Sequence, residues 1–118
     1  LKQAGADFIH ISSGGIAPQQ KINIGPGYQV PFAHHVRQKT QMPTIAVGLI
    51  TQPQQAEDVL VKSEADLVAL GRSFLYNPRW GWEAAAALGG QVQATQQYWR
   101  SLPKEANGIF GDAKIGMR

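Results

Sequence analysis

Two short apolar runs that end in glycine constrain the fold of this chain most. TIAVG occupies residues 44–48, and DLVALGR occupies residues 66–72. Fully buried parallel strands are nearly continuous Val, Ile, Leu and Ala runs, because helices cover both faces of such a sheet. A glycine at the carboxyl end lets backbone N–H groups come close to a bound group. Two such strand ends, each followed by a helical pattern, predict the phosphate-binding cradle of an α/β barrel.

The order of the predicted elements also favours a parallel sheet. Strand patterns cover residues 7–12, 44–47 and 67–70, and helical patterns cover residues 30–40, 51–62, 73–76 and 80–88, with a further turn predicted at 93–99. Alternating strands and helices with short connections are typical of parallel sheets. No GxGxxG motif opens a helix, which disfavours a doubly wound dinucleotide-binding sheet.

Local signals predict further details of these elements. The loop of roughly eighteen residues after the first strand exceeds an ordinary βα connection, so we expect it to have a function or to cover another surface. Thr51 and Gln54 have the spacing of a capping box, with Pro53 in the first turn. The residues predicted to face the core are Phe32, Ala33 and Val36 in the first helix, and Ala56, Val59 and Leu60 in the second.

The length of the chain limits how much of a barrel it can form. It has 118 residues, whereas a complete (β/α)₈ barrel needs about 250. Residues 1–7 resemble a helix end that runs into a strand, so we expect a piece of a larger domain. We predict that residues 1–100 supply three βα units from the C-terminal portion of a TIM (β/α)₈ barrel. Residues 101–118, which are punctuated by proline and glycine, are predicted to form an irregular, extended tail.

Composition excludes several classes of protein. The chain has no cysteine, so it can form neither a disulfide nor a thiolate metal site. No apolar stretch reaches the roughly 18 residues of a membrane span, and no signal segment opens the chain, so we expect a cytoplasmic protein with no membrane partner. The net charge is +3 with a pI near 9.5. Lys and Arg are scattered, including Lys114 and Arg118, which predicts a solvated surface and no nucleic-acid partner.

The strand ends contain the residues that could bind a ligand. The backbone amides around Gly48 and Leu49, and around Gly71 and Arg72, can be offered to phosphate oxygens, and the short helix at 73–76 would point its positive end there. The Arg72 guanidinium suits a bidentate phosphate contact. In the alternative interpretation, the glycines only ease tight turns and Arg72 is a surface cation. The hydroxyls of residues 12–13 could contact a cofactor or cap turns.

Other residues with reactive or large side chains are assigned structural roles. His34 and His35 are adjacent in a helix, where neighbouring side chains point about 100° apart and cannot bind one metal ion. We therefore predict no metal site. The remaining residues of this kind are predicted to pack in the core or to stabilise the amino end of the strands: His10, Asp7, Asp66, Trp80 and Trp82.

Four motifs together closely resemble the old yellow enzyme family. They are SSGG at 12–15, GPGYQVPFA at 25–33, AVGLIT at 46–51 and LGR at 70–72. The best match is the thermophilic-like ene-reductase branch of the NADH:flavin oxidoreductases, and the resemblance runs from residue 1 to about residue 100. It implies the sixth, seventh and eighth βα units of an FMN-binding barrel. The residues after Leu102 depart from the pattern of that branch.

The resemblance also implies roles for individual residues. Gly48 with Leu49, and Gly71 with Arg72, would hold the FMN phosphate, and Ser13 or Gly14 would lie near the edge of the cofactor. QYWR at 97–100 resembles a segment that reaches the neighbouring subunit's active site, which makes Arg100 a candidate substrate contact.

In such enzymes NAD(P)H reduces FMN, and the reduced flavin gives a hydride to the β-carbon of an activated alkene. The residues that polarise the substrate carbonyl and protonate the α-carbon come from earlier strands. The resemblance therefore implies that this chain holds part of the cofactor site, has no catalytic residue and does not turn over substrate alone.

Two alternatives stay open at the level of the sequence. One is another FMN barrel, of the dihydroorotate dehydrogenase or tRNA dihydrouridine synthase type. The other is a non-catalytic barrel piece that folds by self-association. Because a partial barrel leaves two sheet edges open, we expect either a homo-oligomer or pairing with the missing N-terminal part.

Overall fold

A parallel sheet with helices packed on it forms the centre of the protein. The computed structural model describes residues 1–106 and 108–111. Its three strands, in the order β1-β2-β3, are Ile9–Ile11, Thr44–Ala46 and Leu67–Val68. Both strand pairs are parallel. The predicted α/β class with a parallel sheet is confirmed.

Helices connect the strands and follow the last of them. They are α1 (Val30–Thr40), α2 (Pro53–Val61), α3 (Arg72–Tyr76) and α4 (Trp80–Leu88), and short 3₁₀ turns lie at Lys2–Ala4, Gln96–Ser101 and Lys104–Ala106. The strands are shorter than predicted, because Val47 and residues 69–70 belong to the turns that leave the sheet. In the described ranges, no helix combines the length and the apolar character needed to cross a bilayer.

The segment after Ser101 is more ordered than the sequence predicted. Lys104–Ala106 forms a 3₁₀ turn, and Ile109 is buried and accepts a hydrogen bond from the Val92 N–H through its carbonyl (2.7 Å). The described part of this irregular segment therefore folds back against the preceding residues instead of extending away from them. The division of the chain after residue 100 stays a prediction. Position 107 and residues 112–118, with the predicted surface cations Lys114 and Arg118, lie outside the described residues.

The two faces of the sheet differ in what covers them. Ile11, Ala46 and Val68 pair in register; Ala46 belongs to the hydrophobic core under the helices, and the partly buried Ile11 and Val68 pack against it. The neighbouring register row, His10, Ile45 and Leu67, lies on the opposite face, because successive strand residues point to opposite sides. Leu67 is 54% exposed. This second face therefore presents apolar surface that none of the described elements buries.

Fewer residues of α1 and α2 are buried in the core than the sequence predicted. Phe32 is 50% exposed and Leu60 is 37% exposed, so both predicted core positions are wrong. The buried residues of the two helices are i, i+3 pairs, and the residues that form the core cluster are Val30, Ala33, Ala46, Ile50, Ala56, Val59, Ala65 and Trp80.

The predicted capping box of α2 is also wrong. The N-cap is Gln52, without a side-chain cap, rather than Thr51. The Gln55 side chain, at the third helical position, reaches back instead and accepts a hydrogen bond from the Thr51 N–H at 3.0 Å. One glutamine therefore replaces the reciprocal pair.

An ion pair closes the amino end of the strands, where the sequence predicted a stabilising role for Asp66. The Asp66 carboxylate accepts hydrogen bonds from Arg37 Nε (3.0 Å to Oδ2) and Nη2 (3.0 Å), and from the Thr44 N–H (2.9 Å). The Arg37 guanidinium and the Thr44 amide hold the pKa of the Asp66 carboxyl below its usual 3.8. This carboxylate ties α1 to β2 and β3.

The lowered pKa predicts a dependence of stability on acid. Because the folded pKa of Asp66 lies below the unfolded value, the stabilisation is present above about pH 5 and is lost as the pH falls through the folded pKa. Urea unfolding between pH 6 and pH 3 should therefore show a smaller acid loss in Asp66→Asn than in the unmodified chain. Asp7→Asn serves as the matched control, and an unchanged acid profile in Asp66→Asn would contradict the assignment.

Candidate functional site

The register of the sheet brings the predicted site segments to one level. Ile11 pairs with Ala46, and Ala46 pairs with Val68. Two residues after this row in sequence are Ser13, Gly48 and Leu70, which lie in the segments that leave the strands. The carboxyl ends of all three strands therefore meet at one edge, opposite the Asp66 ion pair.

The turn after β2 has an unusual backbone that its neighbours hold in place. Gly48 has φ +118°, and Leu49 has φ +51° although it is not glycine. The Gly48 carbonyl accepts a hydrogen bond from the Gly27 N–H (2.8 Å), and the Leu49 carbonyl accepts one from Gln55 Nε2 (3.1 Å). Left-handed backbone at a non-glycine residue costs about 1–3 kcal/mol and concentrates at functional sites.

A cavity of about 260 Å³ joins this turn to the turn after β3. Small-molecule sites that enclose a whole ligand span about 300–1,000 Å³, so this cavity suits one end of a ligand rather than all of it. The predicted residues Gly48, Leu49, Gly71 and Arg72 all line it, and the other lining residues are Tyr28, Gln29, Val47, Ile50, Thr51, Ala69, Leu70 and Ser73.

The turn after β3 forms the other half of the cavity, and it leaves free space around its glycine. Gly71 is the N-cap of α3 with φ −85°, and a Cβ atom there would meet no atom within 4 Å. Arg72 is exposed at the first position of α3. The Ser73 hydroxyl donates a hydrogen bond to the Ile50 carbonyl at 3.2 Å, which ties α3 to the turn after β2.

Trp80 does not line the cavity, but it contacts the lining residue Thr51. Its side chain is buried, and its indole Nε1 donates a hydrogen bond to the Thr51 carbonyl at 2.8 Å. The Phe74 ring packs edge-on against it, with centroids 5.8 Å apart. The predicted packing role of Trp80 is confirmed. Trp82 also packs, against Tyr98 and Phe110.

The structure places Ser13 and Gly14 beside the cavity rather than in its lining. The Ser13 N–H donates a hydrogen bond to Gln29 Oε1, and Gln29 is itself a lining residue. Gly14 has φ +99°, and a Cβ atom there would overlap the Ile22 side chain. Gly14 therefore allows the long loop to pack, and a contact of either residue with a cofactor stays a prediction.

Arg100 lies apart from this cavity, in the 3₁₀ turn Gln96–Ser101. Its predicted contact with substrate is not tested by this arrangement and stays a prediction. His34 and His35 lie on α1, and the described part of the chain contains no group of three His, Cys, Asp or Glu residues that could hold a metal ion.

Sequence reasoning missed the side chains that hold the site together. Gln29 and Tyr28 come from the long loop after β1, Gln55 from α2 and Ser73 from α3. The signals for the first two were the excess length of that loop and the GPGYQVPFA motif at 25–33, and neither gave a role to an individual residue. Glutamine and serine are common surface residues, so nothing else in the sequence indicated that Gln29, Gln55 and Ser73 stabilise the site.

The amino-acid sequence is similar to those of known proteins. The sequence model described as "NADH:flavin oxidoreductase / NADH oxidase family" matches residues 3–89. The chain is 49% identical over 100 residues to an NADPH dehydrogenase of Geobacillus thermodenitrificans (strain NG80-2), covering 85% of the chain and 29% of the relative. It is 46% identical over 107 residues to an NADPH dehydrogenase of Bacillus cytotoxicus, covering 91% and 31%. The chain therefore spans less than a third of the length of these relatives.

Proposed function

Because the chain belongs to the NADH:flavin oxidoreductase / NADH oxidase family, we propose that it supplies the FMN-phosphate site of an FMN-dependent NAD(P)H oxidoreductase. One observation carries the proposal. The cavity at the carboxyl ends of β2 and β3 is lined by both glycine turns and by Arg72, and turns that lead from a strand into a helix bind phosphate in α/β barrels.

The residues present fit a phosphate group. The cavity is too small for a whole flavin nucleotide and lies open at Gly71, where a Cβ atom would meet nothing. The exposed Arg72 can form charge-assisted, bidentate hydrogen bonds with phosphate oxygens. The strained turn at Gly48 and Leu49 is fixed before any ligand binds, since Gly27 and Gln55 already satisfy its two carbonyls.

The proposed reaction follows from the family. Bound FMN would supply hydride transfer from NAD(P)H to the β-carbon of an activated alkene, while a proton is added at the α-carbon. The residues of this chain would hold and orient the phosphate end of the cofactor, with Ser13 or Gly14 beside its edge and Arg100 as a substrate contact. We assign no catalytic residue to the described part of the chain.

A titration with FMN, followed by flavin fluorescence, tests the phosphate site. We expect Gly71→Asp to abolish binding, because its carboxylate would repel the phosphate at the open rim of the cavity. We expect Arg72→Met to weaken FMN binding about 10–100-fold, the cost of losing charged hydrogen bonds. The affinity for riboflavin, which lacks the phosphate, should not change in Arg72→Met.

Lys39→Met is the matched control, because it removes the same charge from the last turn of α1, near the amino end of β2. Equal losses of FMN affinity in Lys39→Met and Arg72→Met would show that the net charge of the chain, rather than a contact of Arg72 with the phosphate, determines the affinity. A parallel loss of riboflavin affinity in Arg72→Met would place the phosphate elsewhere. Either result would contradict the proposed site.

The sheet face with Ile45 and Leu67, which the described elements leave uncovered, supports the proposal that the chain is part of a barrel. Residues 1–100 would form three βα units of a (β/α)₈ barrel, with the following segment packed outside it. The apolar row at Ile45 and Leu67 would then be buried by further strands of the same barrel, because the matched relatives are more than three times as long as the matched segment. Such burial would also close the two open edges of the sheet.

Complementation tests the barrel. The chain should form a one-to-one complex with the unmatched segment of the Geobacillus thermodenitrificans relative, measured by size-exclusion light scattering. Leu67→Lys should weaken the complex because it places a charge on the uncovered face, whereas Val61→Lys, on a position of α2 that is 71% exposed, should not. A chain that self-associates, or stays monomeric, without binding that segment would contradict the proposed partner.

A further inference from the structure

Gln29 is a buried polar side chain that the proposed chemistry does not use. It is 4% exposed, and the other polar residue buried to this degree in the described ranges is Thr44. Gln29 occupies the N-cap position of α1, yet its side chain does not cap that helix. Burying a primary amide is unfavourable unless it is hydrogen-bonded, so its contacts indicate what it does.

Its side chain lies between the ends of two strands. Oε1 accepts a hydrogen bond from the N–H of Ser13, which follows β1. On the other side, a Cβ atom placed on Gly48, which follows β2, would lie 3.1 Å from both Cγ and Nε2 of Gln29. The amide group therefore fills the space between Ser13 and Gly48 with no room to spare.

The backbone around Gln29 is anchored to the same strand end. The Gly27 N–H donates to the Gly48 carbonyl at 2.8 Å, and the Val30 N–H donates to the Gly27 carbonyl at 2.8 Å. Residues 27–30 therefore form a strap that is fixed to the end of β2, and the Gln29 side chain is the group that extends from this strap to the end of β1.

We propose that Gln29 is a positioning residue that sets the spacing between the ends of β1 and β2 and thereby the affinity for the flavin. The proposal rests on the proposed FMN site. It assigns Gln29 no contact with the cofactor. Its hydrogen bond holds Ser13 level with Gly48, so that a ligand held by its phosphate at the β2 and β3 turns meets the β1 end at the correct distance.

Two substitutions separate the hydrogen bond from the packing. Gln29→Met keeps a side chain of similar length but removes the acceptor for the Ser13 N–H. Gln29→Glu keeps an oxygen acceptor at that position. Gln38→Met, on an exposed position of α1, is the matched control. Amide hydrogen exchange at Ser13 and Gly27 is measured in each variant, together with the affinities for FMN and riboflavin.

We expect Gln29→Met to lose protection of the Ser13 amide while Gly27 stays protected, and Gln29→Glu to keep protection at both. Gln29→Met should weaken FMN and riboflavin binding by the same factor, about tenfold, because the phosphate contacts are unaffected. Loss of protection at both amides would indicate a merely structural role and overturn the proposal, as would unchanged exchange of Ser13. If the unmodified chain binds no FMN, the proposed function fails for this chain, while the exchange of Ser13 still decides whether Gln29 sets the spacing.

Discussion

Replacing Gly48 by alanine is expected to lower the free energy of unfolding by about 2–4 kcal/mol and to weaken FMN binding at least tenfold. Gly48 has φ +118°, a backbone conformation that residues with a Cβ atom rarely adopt. The added Cβ atom would lie 3.1 Å from the Gln29 and Tyr28 side chains. Relief of this crowding must move either the strap or the turn, and both line the cavity.

Gly71→Ala is the matched control for this substitution. Gly71 has φ −85°, and a Cβ atom there would meet no atom within 4 Å. Chemical denaturation of both variants should therefore show a loss of stability only for Gly48→Ala. Equal stability of the two variants would mean that Gly48 is not held at its positive φ in the turn after β2.

Replacing Trp80 by alanine is expected to lower the free energy of unfolding by about 3–5 kcal/mol, the usual cost of removing a buried aromatic side chain. Trp80 is 8% exposed and belongs to the core cluster, and its helix α4 packs against α2. The substitution also removes the donor to the Thr51 carbonyl. We therefore expect the turn that follows β2 to loosen and FMN affinity to fall with it.

Trp80→Phe separates the two contributions. It keeps most of the apolar volume but removes the indole N–H, so we expect a loss of about 1–2 kcal/mol, the cost of leaving a carbonyl without its partner. Denaturation in urea measures both variants. If Trp80→Phe destabilises the chain as much as Trp80→Ala, the packing of the ring is not what anchors α4.

Much of the architecture could be predicted from local patterns. Apolar runs that end at Gly48 and Gly71 indicated two parallel strands, and the predicted bounds of α1 and α4 agree with the structure. These predictions succeeded because strand and helix periods are properties of neighbouring residues. For the same reason Gly48, Leu49, Gly71 and Arg72 could be placed at the strand ends, where they line one cavity. Their contact with phosphate stays a prediction.

The predictions were wrong where burial or helix capping depends on contacts between elements that are far apart in the sequence. Phe32 and Leu60 have suitable periodicity, yet they are exposed, because none of the described elements covers these two positions. Gln55 rather than Gln54 reaches back to Thr51, because the helix begins one residue later than the capping pattern indicates. Such differences of one residue depend on how a helix docks on the sheet.

The sequence by itself determined the order of strands and helices, the parallel class of the sheet and the two glycine turns that face one edge. Only the tertiary structure decided that Gly48 is sterically required whereas Gly71 is open, and that Gln29 fills the gap between β1 and β2. The physical reason is distance along the chain. Ser13 and Gln29 are 16 residues apart, and Gln29 and Gly48 are farther still, so their contacts depend on strand register and on the path of a long loop, which no local pattern records.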